Sequence, residues 1–350
     1  MNIHTFEVSS LLTKKDYYDI QYDLRKNAPG KWEAQKEGMN WWGLPGILIN
    51  MNRIKVEGYY AYSIRYKISA RRFLESDNYV DLFNIKDYSV LEEKINKGLS
   101  KISQLLPPLQ SCRLKRVDFC VNAELQSQEE VKAYIKVIKR GNIPPKMKIF
   151  KMNDPIAKRK KASKRDHTVV AGDFVEVSIY NKYAEMISEP KGVFPQSEIE
   201  RAHNIVRLEI RCKEGKIREL MKKYKVKTID QFMKKANRIG NEVFNYYLGK
   251  MFNEGPLYTL KDALKRIDMS EYRKKTIKIL KDFITECAES KTADEVFKTY
   301  KKLYGSSRVK SIVSWLDIIE TNYVTIKKSE KKIFNCESIP APLELYRESA

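Results

Sequence analysis

The chain has 350 residues, 42% of them hydrophobic, so it is long enough to bury two or three cores and too apolar for general disorder. Its formal charge of +22 raises the local concentration of polyanions and favours nucleic acid or an anionic membrane surface as partner. No apolar run approaches the roughly 20 residues of a membrane span, and the first residues lack the basic stretch and apolar core of a secretory signal. The five cysteines are scattered and never spaced as CxxC, which predicts reduced thiols in a cytoplasmic protein without a zinc knuckle.

In chain order, HTFEVS reads as a strand and KKDYYDIQYDLRKN as a helix. GILINMNRIKVEG and YYAYSIRYKISA read as a hairpin around Gly58. SVLEEKINKGLSKISQLL is an amphipathic helix, expected to stop at Pro107 and Pro108. RLKRVDFCVNAEL, KMKIFK, TVVAGD, FVEVSIYNK and IVRLEIRCK follow as strands, with SQEEVKAYIKVIKRG as a helix ended by Gly141. The basic segment 151–167 reads as an exposed loop that contacts phosphates through Lys158, Arg159, Lys160, Lys161, Lys164 and Arg165. From about Lys213 the pattern turns helical, which sets a domain boundary between 1–212 and 213–350. Within 293–330, a helix, a Gly305-Ser306-Ser307 turn, a second helix starting with Arg308 and Lys310 and a strand-like end have the grammar of a winged helix-turn-helix. A plain helical hairpin reads equally well there. The tryptophans Trp32, Trp41 and Trp42 are assigned to the core.

Three of the strands divide their faces in the same way. Val117, Phe119 and Val121 oppose Arg116, Asp118, Cys120 and Asn122, while Val206, Leu208, Ile210 and Cys212 oppose Arg207, Glu209 and Arg211. In VEVSIYNKYAEM, Val175, Val177 and Ile179 oppose Glu176, Ser178 and Tyr180, and the alternation is expected to continue into Lys182. A polar outward face is the default for an antiparallel strand, and Arg/Glu pairs are ordinary cross-strand partners. If the three strands are neighbours, however, their open face gathers Asp118, Glu176 and Glu209 among Arg116, Arg207, Arg211 and Lys182, with Tyr180 in the middle. Such carboxylates suit Mg²⁺ or Mn²⁺, because the chain has only 3 histidines and no HxH or HExxH pattern. Tyrosine attacks phosphorus only when its proton is taken or its oxygen is stabilised, a task Lys182 could perform.

At these residues the sequence resembles the rolling-circle replication initiators of plasmids and phages and the related conjugative relaxases. The motifs are Arg116-Val117-Asp118, Ile179-Tyr180-Asn181-Lys182-Tyr183-Ala184-Glu185 and Arg207-Leu208-Glu209, in that order within roughly residues 110–215. The resemblance implies an α+β fold: an antiparallel, palm-like sheet related to the HUH endonucleases, flanked by helices, with a mainly helical domain after it. It implies Tyr180 as nucleophile, Lys182 as its helper and Tyr183 as a rival nucleophile. Asp118 and Glu209 become the first metal ligands, with Glu176 and Glu185 in reserve. The histidine pair of the HUH class is missing from these motifs. DNA at a replication origin, single-stranded or in a cruciform, is the implied partner, with a host helicase and a second copy of the chain beside it. A non-enzymatic DNA-binding initiator or regulator and a relaxase acting at a transfer origin are the alternatives.

Overall fold

A computed structural model of the chain describes residues 2–26, 30–35, 38–149, 166–190 and 192–349. The fold is mixed α and β: a large antiparallel sheet with helices and a helical C-terminal region. No helix among the described residues is long and apolar enough to cross a membrane. The chain forms two compact units, Met1–Cys120 with Ile210–Asn241, and Val121–Glu209 with Glu242–Ala350.

The first unit is built on β1 (Asn2–Leu12), β2 (Lys31–Gln35), β3 (Gly38–Leu44), β4 (Ile47–Val56), β5 (Tyr59–Ser69), β6 (Phe83–Asn84) and most of β7 (Arg113–Glu124), in the order β2-β3-β4-β5-β1-β7 with β6 also on β1. The expected hairpin is β4–β5, and it turns through Glu57 at φ 48° and Gly58 at φ 90°. Positive φ at both central residues gives the twist that antiparallel strands require, and glycine reaches it without steric cost. The apolar side chains of β1, β5 and β7 are buried, and the helix Tyr88–Ile102 buries Leu91, Ile95, Leu99 and Ile102 on one stripe. Tyr88 of that helix meets Phe6 edge to face, with ring centroids 6.4 Å apart. The helix stops at Ser103, before the two prolines: its backbone turns extended there (φ −155°, ψ 134°) and its hydroxyl donates to Asp23. Only Trp41 takes its expected place in the core. Trp42 is exposed because alternation along β3 turns it away from the face of Trp41, whereas Trp32 shares that face as the partner of Trp41 but lies on β2, whose residues are all exposed, under the guanidinium of Arg25.

The second unit holds β8 (Lys148–Ile149), β9 (His167–Ala171), β10 (Val175–Asn181) and the first residues of β11 (Ile205–Lys213), with β10 paired to β9 and β9 to β8. Helices follow nearly to the end, together with the short pair Leu257–Tyr258 and Ser338–Ile339. Within Ala293–Ile318 the expected Gly305-Ser306-Ser307 turn shrinks to a break at Gly305 alone, at φ 80° and ψ 160°, with Ser306 and Ser307 helical. A helix-turn-helix needs a turn of about three or four residues. The expected wing is reduced to a single bridge between Thr259 and Ile326.

Cys112, Cys120, Cys212 and Cys287 are buried free thiols, and Cys336 is exposed. Burial pushes the thiols of Cys112 and Cys212 up to about 12. Ellman's reagent at pH 8 is therefore expected to titrate a single thiol in the native protein and all five in guanidinium. Rapid native reaction of more than one would contradict this packing.

Candidate functional site

The site starts from two irregularities in the ladder between β1 and β7. Thr5 pairs with Asp118 and Ile3 with Phe119, so His4 is an extra residue on β1. Further along, Glu7 pairs with Arg116 and Val8 with Leu114, which leaves Lys115 as an extra residue on β7. A bulge re-aims the side chain it inserts. His4 and Lys115 are accordingly partly exposed, whereas Thr5, Phe6, Leu114 and Val117 are buried.

Asp118 is completely buried, and its charge is met by cations. Arg116 donates from Nε to Oδ1 at 2.7 Å and from Nη2 to Oδ2, and Arg211 Nε donates to Oδ1 at 3.3 Å. Arg116 Nη1 also reaches Glu7 Oε1 at 2.8 Å. A two-pronged guanidinium is the geometry that compensates the loss of water around a buried carboxylate. Lys115 donates to Glu214 at 2.8 Å and holds that carboxyl below the usual carboxylate range.

In the second unit β10 alternates as expected: Val175, Val177 and Ile179 are buried, while Glu176, Ser178 and Tyr180 are partly exposed. The strand does not run on to Lys182. Asn181 ends it by accepting from Ala184 N at 3.1 Å, which caps the helix Lys182–Ile187. Lys182, Tyr183 and Glu185 therefore lie on a helix, off the face that carries Tyr180. Lys182 is buried and donates to Glu185 Oε2 at 2.8 Å, and Tyr183 meets His203 edge to face at 5.0 Å. Tyr180 Oη donates to Glu209 Oε2 at 3.2 Å, and Arg207 Nε donates to Asn122 Oδ1 at 2.7 Å.

The polar face is more closed than alternation predicts. Asp118, Arg207 and Glu209 are buried, against the expectation of an open face, while Arg116, Arg211, Glu176 and Tyr180 keep partial exposure. His4 and Asp118 stand on the neighbouring strands β1 and β7 of the first unit, and Glu209 belongs to the second. Strand periodicity could not single out His4, because the bulge that turns it breaks the periodicity. Arg308 covers the ring of Trp315 at 4.9 Å, and Lys310 is exposed on the same helix. Lys158, Arg159, Lys160, Lys161, Lys164 and Arg165 lie outside the described residues.

Searched against family models, curated proteins and solved structures, the chain finds no match in any of the three.

Removing the Asp118 carboxylate leaves the charges of Arg116 and Arg211 without their common counterion. Asp118→Ala is expected to cost on the order of 3 kcal/mol in urea denaturation, whereas Lys310→Ala on the exposed helix face stays within about 0.5 kcal/mol. Equal midpoints for the two variants would contradict the role given to Asp118.

Proposed function

We propose that the chain is a rolling-circle replication initiator that binds origin DNA and cuts one strand by tyrosine transesterification, on a palm-like sheet related to that of the HUH endonucleases. The observation that carries the reading is the partly exposed phenol of Tyr180 at hydrogen-bond distance from the buried carboxylate of Glu209. A phenol held this way has a proton acceptor in place and an oxygen open to a substrate, the geometry of an activated nucleophile. The net charge of +22 supplies the attraction to DNA.

In the reaction Tyr180 Oη forms a bond to phosphorus and gives its proton to Glu209. The bond from phosphorus to the 3′ oxygen breaks, and that oxygen leaves as a hydroxyl after taking a proton from solvent. The downstream fragment of the cut strand stays joined to the protein through its 5′ phosphate, as a phosphotyrosine. Return of a 3′ hydroxyl to the phosphotyrosine reverses each bond change and reseals a strand.

The negative charge that develops on the phosphate as the phenol oxygen attacks needs positive charge nearby. Mg²⁺ or Mn²⁺, with Glu209 among its ligands, would supply that charge and polarise the phosphate. Arg116 and Arg211 hold Asp118 in place.

On an origin-derived oligonucleotide with Mn²⁺, Tyr180→Phe is expected to bind with unchanged affinity and to form no covalent adduct on a denaturing gel, while Tyr183→Phe keeps the adduct. An adduct of normal yield in Tyr180→Phe moves the nucleophile elsewhere. Steeply salt-dependent DNA binding without any adduct in the wild type leaves a non-enzymatic binder in place of the nicking enzyme.

A further inference from the structure

Four residues along β1 from Thr5, roughly 13 Å by the strand rise, lies a pocket of about 400 Å³ that the nicking chemistry does not use. Its walls carry Ser9, Ser63, Ser111, Arg65, Arg113 and Lys115, and no acidic residue lines it. The strand register explains this composition. Glu7 pairs with Lys67 on β5 and with Arg116 on β7, which makes a row of cation, carboxylate, cation across three strands. Ser9 pairs with Arg65 on β5 and with Arg113 on β7. In that second row a small hydroxyl stands where the first has a carboxylate, so two guanidiniums flank a donor with no acid between them. The bulge at Lys115 adds a third cation to the same wall.

Two of these cations have acidic neighbours outside the pocket. Arg65 is 3.9 Å from Glu7, and Lys115 is bonded to Glu214 at 2.8 Å. Arg113, Ser9 and Ser63 have no hydrogen-bond or ion-pair partner through their side chains among the described residues. A phosphate group matches this set: its oxygens accept from hydroxyls and from the forked guanidinium, and its charge takes the place that Glu7 fills one row away.

We propose that this pocket is a phosphate subsite that grips the backbone of the nucleic-acid strand the protein binds. The source of the phosphate rests on the nicking reading; the anion preference of the pocket does not. The subsite holds the strand through backbone phosphate alone, so it contributes affinity and register without reading sequence.

The test compares wild type, Arg113→Gln and Ser9→Asp in a Tyr180→Phe background, by fluorescence anisotropy of a labelled single-stranded oligonucleotide at a series of salt concentrations. Loss of one phosphate contact is expected to lower the slope of log K against log salt by about 0.7 in each variant, with thermal midpoints unchanged because Arg113 is exposed. Ser9→Asp supplies the missing acid and is expected to weaken binding at least as much. Wild-type affinity and slope in both variants would overturn the proposal. So would variants that keep oligonucleotide binding but lose thermal stabilisation by inorganic phosphate, since the ligand would then be free phosphate. A changed slope in Arg113→Gln together with an intact adduct in the Tyr180→Phe protein would leave the subsite standing and sink the nucleophile instead.

Discussion

The grip of Arg116 and Arg211 on the carboxylate of Asp118 is the interaction on which the rest depends. Asp118 sits on β7 with buried apolar neighbours before and after it, where an uncompensated charge would cost several kcal/mol. Two guanidiniums remove most of that cost, and Arg116 spends its remaining nitrogen on Glu7. The strand can then keep a carboxylate fixed deep in the sheet. The same pairing orients Arg116, whose partner Glu7 leads on to the neighbouring row of β1.

Placement of these groups owes as much to departures from regular pairing as to regular pairing. One slip in the β1–β7 ladder turns His4 toward Asp118, and a second turns Lys115 toward the serine-rich pocket. Along the same pair of strands the polar face changes character in the space of one row. Glu7 neutralises the cations beside it, whereas Ser9 leaves Arg65 and Arg113 facing each other across a hydroxyl. A sheet built in this way presents fixed carboxylates in one place and an anion receptor a few residues away.

Much of this was legible in the sequence, and what was not had local physical causes. The alternation of VEVSIYN gave the side-chain directions of β10, and Glu57-Gly58 marked the hairpin, because period 2 and turn chemistry are local properties. The end of β10 was misread: Asn181 prefers to cap a helix, which takes Lys182 off the strand and into a bond with Glu185. Alternation distinguishes two faces but does not say which face is covered, so the burial of Asp118, Arg207 and Glu209 escaped it. His4 escaped it too, since a bulge is written in the pairing of two strands and in neither strand alone. Gly305 marked a break correctly, but two serines after a glycine do not oblige the chain to leave the helix.

The central claim is that the phenol oxygen of Tyr180 becomes bonded to phosphorus. It is tested most directly by digesting the wild-type protein after reaction with an origin-derived oligonucleotide and Mn²⁺, then sequencing the nucleotide-bearing peptide by mass spectrometry. The account predicts a nucleotide remnant on Tyr180 and on no other tyrosine. A remnant on Tyr183 or any other residue, or cleaved DNA without any protein-linked nucleotide, would contradict it.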